Sequence, residues 1–430
     1  MIPQGPIGSA DGPAVHALVD HLFRRESGKM VSALTRVFGS DNLDLAEDVV
    51  QETLVRALAQ WPLGGVPANP AGWLYQAAKH RAIDVLRRER TFRRFAPDLT
   101  RQLESASVMP LIDNLFGEGQ IEDDTLRMMF TCCHPGLPFE SQIALTLKIL
   151  CGFSSAEIAR AFLTQEAAIQ KRLYRARQKI KDDHLGFEVP ALAELPARRQ
   201  AVLSVLYLMF NEGYSASFAE QPIRRDVCLE AMRLCKLQTE HECGRDPSTF
   251  ALMALMCLHA ARFDARLDSD GNLLTMKYQD RKRWSRPLMA EGFHYLDLSA
   301  SGDELTEMHL EAGIAGTHCL ADSYEHTDWD AIVNLYDQLT TLKSSPIVAL
   351  NRAIALAERR GPRAGLEAIQ SIPDQVLEGY YLFWATLGEM HLRLGEFGEA
   401  APHFERAIAL TSSRIEQQFL HRKLEACRRR

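Results

Sequence analysis

GFSSAEIARAFLTQEAAIQKRLYRARQKIK, residues 152–181, reads as two short helices joined by a tight turn. Ser154 and Glu157 form an S-x-x-E capping box, so a helix starts there. Ile158, Ala159 and Phe162 give it an apolar face, and Leu163-Thr164-Gln165 breaks the pattern. In the second helix Ile169, Leu173, Ala176 and Ile180 recur at steps of four, three and four, the stripe of a helix packed on one side only. The opposite face carries Gln170, Lys171, Tyr174, Arg175 and Gln178, with Arg172 and Arg177 on the flanks. Thr164–Lys181 holds six basic residues against one acid. A helix-turn-helix offers such a second helix to the major groove and leaves its basic face for phosphates. The competing reading is an ordinary basic surface helix in a bundle.

A second basic segment weighs against that alternative. KHRAIDVLRRERTFRR, residues 79–94, holds seven basic residues and two acids. The whole chain carries a formal charge of −7, so everything outside the two segments is strongly acidic. Two concentrated basic helices in an acidic protein point to two separate contacts with nucleic acid.

At 430 residues, 46% hydrophobic and 24% charged, the chain is expected to be soluble and to hold several domains. Its N-terminus lacks a signal-peptide pattern. The longest apolar runs, near Ala201–Phe210 and Ala251–Leu258, are too short to span a bilayer. Nine cysteines without a C-x-x-C fit a reduced cytoplasm, and no membrane partner is expected. Helix formers dominate and alternating β-branched runs are absent, so the fold is read as all-α. The exception is Arg266–Tyr278, where Asp270-Gly271 suits the turn of a short hairpin.

Breakers set the segmentation. Trp61–Pro70 holds three prolines and two glycines and reads as a loop. Residues 10–94 form a first helical domain, 95–123 a linker, 124–184 the helix-turn-helix domain and 186–300 a further helical domain. Residues 301–430 repeat. Gly361 and Gly395, each in a turn between helices, stand 34 residues apart, and Thr327 lies another 34 back. That period is the tetratricopeptide signature of an α-solenoid. Trp384, Leu387, Gly388, Ala400, Phe404 and Ala407 stand at that motif's spacings, with His391 and Ser412 replacing its Tyr and closing Pro. Such a solenoid has a concave face suited to a protein or peptide partner.

Three stretches together resemble a bacterial RNA polymerase sigma factor of the extracytoplasmic-function type. AEDVVQETLVRAL (Ala46–Leu58) is similar to the family's polymerase-clamp-binding helix. PAGWLYQAAKHRAIDVLRRER (Pro70–Arg90) is similar to its −10 element, and FSSAEIARAFLTQEAAIQKRLYRARQKI to its −35 reader. The remainder resembles the subgroup with a long C-terminal extension ending in tetratricopeptide-like repeats. TCCHPGLP (Thr131–Pro138) and KYQDRKRW (Lys277–Trp284) add to that likeness. His80 stands where many relatives carry Asn, and Ala168 and Gln170 where many carry Thr and Lys. The resemblance implies two helical sigma-type domains, with core RNA polymerase and promoter DNA as partners.

The residues support recognition rather than bond-making. Asp44, Glu47, Asp48, Gln51 and Glu52 give one helix a face of acids and amides able to pair with a basic partner helix. Trp73 and Tyr75 precede the −10 basic helix, where aromatic rings can stack on unpaired bases. Lys79, His80, Arg81, Arg87, Arg88 and Arg90 follow as contacts to the strand, and the loop 61–70 suits a flipped base. In the −35 helix Gln165, Glu166 and Lys171 are the base-reading candidates, and Arg172 and Arg175 the phosphate holders. Asp113, Glu118, Glu122, Asp123 and Asp124 flank the linker, either as a nucleic-acid mimic or as a solvated tether.

No cofactor, metal site or catalytic residue is expected. Cys132-Cys133-His134 lacks a partner pair at ligand spacing. Asp268-Ser-Asp270-Gly271 starts like a calcium loop but lacks its closing Glu. An enzyme within 186–300 would draw on Glu212, Asp280, Arg281 and Trp284. The main competing function is a stand-alone helix-turn-helix regulator with a ligand- or protein-binding tail. The acidic face at 44–52, which such a regulator does not need, separates the two.

Overall fold

The computed structural model describes residues 12–95, 115–116, 120–161, 164–191, 193–214, 225–269, 271–372, 377–411 and 413–429. Among them eighteen α-helices form and no sheet does, in keeping with the all-α reading. At the expected hairpin a single antiparallel bridge joins Leu267 to Leu273. Asp268 ties that turn by accepting from the Asn272 backbone at 2.8 Å, and Gly271 supplies its positive φ. The chain divides into two compact units between Leu208 and Met209.

The first unit holds α1 (Gly12–Phe38), α2 (Leu43–Gly64), α3 (Pro70–Phe95), α4 (Gln120–Cys132), α5 (Phe139–Ile149), α6 (Ser155–Ala161) and α7 (Glu166–Asp182). Most of α8 (Leu195–Tyr214) also belongs to it. Helix α2 buries Ala46, Val49, Val50, Thr53, Leu54, Ala57 and Trp61, a 3–4 stripe that packs on α1 and α3. The expected loop at Trp61 starts later. The helix runs on through Pro62 to Gly64, because the buried Trp61 side chain anchors its last turn. Gly65, at φ +83°, then ends it. Asn69 caps α3 by accepting from Gly72 N at 2.9 Å, and Pro70 opens that helix.

Helix α1 is the shared beam of this unit, packing on α2, α3, α4 and α5. At Gly28 it passes so close to the end of α5 that an added methyl group would overlap the Leu150 carbonyl. Asp124 departs from its expected place in an acidic tether. Its carboxylate is fully buried, held by Arg36 at 3.0 Å and Arg127 at 2.8 Å. A buried carboxylate needs such partners, and helix α4, which begins at Gln120, carries it inward. Asp113 and Glu118 lie outside the described residues, as do the side chains of Glu122 and Asp123. Residues beyond α7 still belong to this core. Leu185 is buried, Thr131 donates to the Gly186 carbonyl at 3.1 Å, and Arg198 reaches the Phe130 carbonyl at 3.5 Å.

The second unit continues with α9 (Arg225–Glu240), α10 (Pro247–Ala260), α11 (Arg286–Ser299) and α12 (Glu307–Leu320). Helix α10 is apolar all round, buried almost throughout, and packs on α9, α11 and α12. Asp246 caps it with Pro247 at the first helical position. Then follow α13 (Trp329–Leu342), α14 (Pro346–Arg360), α15 (Pro362–Gln370), α16 (Tyr381–Leu394), α17 (Phe397–Leu410) and α18 (Arg414–Arg428), packed largely on their chain neighbours. Gly361 and Gly395, at φ +93° and +78°, make the two turns that sit 34 residues apart. Gly388 lets α16 approach α17 closely, since a Cβ there would stand 3.0 Å from the Phe404 ring.

Candidate nucleic-acid and polymerase interfaces

Residues 152–161 and 164–182 are built as their sequence implies, and Phe162 and Leu163 lie outside the described residues. The Ser154 backbone donates to Glu157 Oε2 at 2.8 Å, and Glu157 N donates back to Ser154 Oγ at 3.2 Å. This closed capping box starts α6. Helix α7 buries Ile169, Leu173, Ala176 and Ile180 against α5 and α6. Its opposite face is open: Gln165, Glu166, Lys171, Tyr174 and Arg175 are all exposed. Gln165 occupies the N-cap, and Glu166 accepts from Gln170 at 3.2 Å. Arg172 is half-buried and paired with Glu140 at 2.6 Å, so it is held back toward α5.

The −10 candidates divide. Lys79 and Arg81 are half-buried on α3, and His80, Arg87 and Arg88 are exposed. The Arg90 side chain lies outside the described residues. Arg81 forks onto the Glu52 carboxylate, with its second contact at 3.1 Å. Trp73 packs edge-on against Trp61, centroids 5.5 Å apart. Tyr75 is stacked on Phe116 at 4.7 Å, and its hydroxyl donates to Glu26 at 2.5 Å. Both rings are engaged within the protein.

The acidic face of α2 divides as well. Asp48 and Gln51 are exposed, while Glu52 is taken by Arg81. Glu47 and Asp44 meet Arg177 of α7, at 2.8 Å and 3.2 Å. Burial pushes the Glu47 carboxyl above its ordinary range, and the Arg177 guanidinium opposes that rise. The pairing of Arg177 with Glu47 is not legible in the sequence, because 130 residues separate them.

Further contacts extend this seam. Arg24 reaches Glu157 at 3.4 Å, His184 meets Asp41 at 2.8 Å, and Ser40 donates to the Leu185 carbonyl at 2.5 Å. The candidate polymerase helix and the candidate −35 helix are therefore held against each other.

Other sequence candidates are accounted for by local structure. Among the described residues no cluster of three potential metal ligands forms. Cys132 and Cys133 are buried, and burial pushes the Cys133 thiol up to about 12. Asp280 caps a short turn through Lys282 N at 2.9 Å. Arg281 donates to the carbonyls of His318 and Ala321 and lies over the Trp284 ring.

Three family models match this chain. Residues 22–92 match sigma-70 region 2, residues 127–180 match sigma-70 region 4, and residues 198–300 match a family of unknown function, DUF6596. The chain belongs to the extracytoplasmic-function sigma factors, with a C-terminal extension. It is 37% identical over 396 residues to an uncharacterized protein of Rhizobium meliloti strain 1021, covering 92% of each chain. No solved structure matches. Sigma factors are non-enzymatic transcription factors, so core RNA polymerase and promoter DNA are this protein's partners. No helix among the described residues is long and apolar enough to cross a membrane.

Proposed function

We propose that this sigma factor docks on core RNA polymerase through the exposed part of α2 and reads promoters with α3 and α7. In this reading, residues 10–94 carry polymerase and −10 binding, 124–184 carry −35 binding, and the remainder regulates both in cis. The observation that carries it is the pairing of α2 with α7 through Arg177, Glu47 and Asp44. The −10 and −35 elements lie about 25 base pairs apart, or about 85 Å of B-form DNA. Gln165 to Arg177 spans only about 18 Å of helix, and Arg177 touches α2 directly. The two readers cannot occupy both elements with the seam closed. The closed seam is thus a resting form, and the acids that polymerase would engage are partly occupied by the protein's own arginines.

The second unit supports the cis-regulatory part. Its glycine turns 34 residues apart and the Gly388–Phe404 packing suit a tetratricopeptide-like array, which offers a face to a protein or peptide. Run-off transcription with purified core polymerase tests both parts. Asp48→Arg with Gln51→Arg, two exposed positions, is expected to abolish co-purification of core polymerase from the folded variant. Unchanged co-purification would refute the docking assignment. Truncation after Leu208, which keeps the first unit whole, is expected to change promoter-dependent activity at matched concentration. Equal activity would remove the cis-regulatory reading.

A further inference from the structure

KYQDRKRW, residues 277–284, lies in the second unit, outside the stretches proposed to read promoters, and its two halves play different parts there. Its C-terminal half is structural: Gln279 accepts from Arg262, Asp280 caps a turn, and Arg281 and Trp284 stack. Its N-terminal half is different. Lys277 and Tyr278 stand at the wall of a cavity of about 470 Å³, beside α14, α16 and α18. That volume lies in the range of small-molecule sites.

The cavity has an apolar floor and a polar mouth. Ile354, Met390, Phe404, Phe419 and Leu420 line the floor. Around the mouth the protein uses up its own acids. Glu358 is paired with Arg393 at 2.5 Å and hydrogen-bonded to the Tyr324 hydroxyl. Glu389 is paired with Lys423 at 2.9 Å. Lys277 makes no close ion pair among the described residues, although its charge adds to the hydrogen bonds that lower the exposed Glu325 carboxyl, and the hydroxyls of Thr275, Tyr278 and Thr386 line the same cavity. What remains is one cation outside any close ion pair, with Glu325 as its more distant countercharge, and several neutral donors above an apolar floor. That set complements a ligand with an apolar body and one anionic head.

We infer that this cavity binds a small amphipathic organic anion, such as a medium-chain carboxylate, with its head at Lys277 and its body on Phe404, Phe419 and Met390. The site goes beyond the sigma reading and does not depend on it. It is tested on the full-length chain by calorimetry with sodium decanoate, using decyltrimethylammonium as the probe of opposite charge. Decanoate is expected to bind saturably, one per chain, and the ammonium probe is not. Lys277→Glu, at an exposed turn, is expected to weaken decanoate about fivefold or more. Thr386→Phe fills the cavity and is expected to abolish binding, with circular dichroism confirming the fold of both variants. Absence of saturable heat up to about 1 mM decanoate would overturn the inference. So would equal binding of the two probes, or undiminished binding by both variants.

Discussion

A group of arginines in each unit differs in what it meets, although the second unit also holds ion pairs such as Arg393 with Glu358. In the first unit, arginines meet carboxylates: Arg177 with Glu47 and Asp44, Arg36 with Asp124, Arg24 with Glu157. In the second, the inner arginines meet rings and carbonyls. Arg266 lies 3.8 Å over Tyr214, Arg262 and Arg281 lie over Trp284, and Arg281 also bonds the carbonyls of His318 and Ala321. No carboxylate pairs with Arg262, Arg266 or Arg281 among the described residues. Ion pairs of partly exposed residues are weakened by salt and reform when it is removed. Arginines stacked on buried rings are insensitive to salt and fixed by packing. We therefore expect the α2–α7 seam of the first unit to yield to salt more readily than the arginine–ring packing of the second.

Acid is expected to separate the units most strongly. His259 and His318 sit among those arginines, and burial pushes both rings down to about 3, with Arg262 adding to the shift. Unfolded, the same rings titrate near the ordinary 6.5. The unfolded state therefore takes up more protons between those values. Stability that is full above pH 6.5 falls as pH drops, by about 1.4 kcal/mol per pH unit for each ring. Glu47 in the first unit has the opposite sign. Its carboxyl is raised above 4.5, so mild acid does not strip it of stability. Hydrogen exchange at pH 7 and 5.5 should show faster opening of α10 and α12 with little change in α2. Equal loss in both units would break the contrast.

Arg281→Ala should come next in size. It removes two carbonyl contacts, the Thr327 contact and the Trp284 stack at once. A loss of about 3 kcal/mol in urea unfolding is expected, confined to the second unit and independent of salt. A cost below about 1 kcal/mol would mean that the cation–ring packing is incidental.

Gly28→Ala probes the other side. The added methyl overlaps the Leu150 carbonyl, yet alanine favours helix α1 by about 1 kcal/mol. Wedging α1 from α5 is expected to expand the first unit in small-angle scattering while its helix content stays unchanged. An unchanged radius would show that the α1–α5 contact absorbs the wedge.

Much of this was legible in the chain itself. The capping box and the apolar stripe of α7 are local patterns, and 3.6-residue periodicity reports which face is buried. The 34-residue glycine spacing marked both turns. What stayed hidden depends on partners far apart in sequence. Asp124 looked like one acid of a tether, but its burial is set by Arg36, 88 positions away. Tyr75 read as a base-stacking ring, and Phe116 covers it. Trp61 read as the start of a loop because prolines and glycines follow it, yet its own burial prolongs the helix. Composition supplies charge and aromaticity; it does not say whether a protein or a nucleic acid receives them.

Arg177→Ala is the smallest expected perturbation of the seam and the one that most sharpens the comparison. Arg177 is largely covered, and Glu47 beside it is half-buried. Removing the guanidinium leaves the Glu47 carboxylate without its closest countercharge, and Asp44 then adds repulsion. The closed seam should lose about 1 kcal/mol, a roughly fivefold shift toward the open form. Because the pair lies on the candidate polymerase face, opening also frees Glu47 and Asp44. Core polymerase should therefore bind the variant more tightly at low salt, even though an attractive interaction has been deleted. Raising salt from about 0.05 M to 0.5 M should narrow the difference between variant and parent, since screening already weakens the parent's seam. The measurement is the polymerase dissociation constant at both salts, with Lys171→Ala as a control on the same helix but away from the seam. If Arg177→Ala binds polymerase no better than Lys171→Ala at low salt, the seam does not compete with polymerase for these acids. The first unit would then be as fixed as the second.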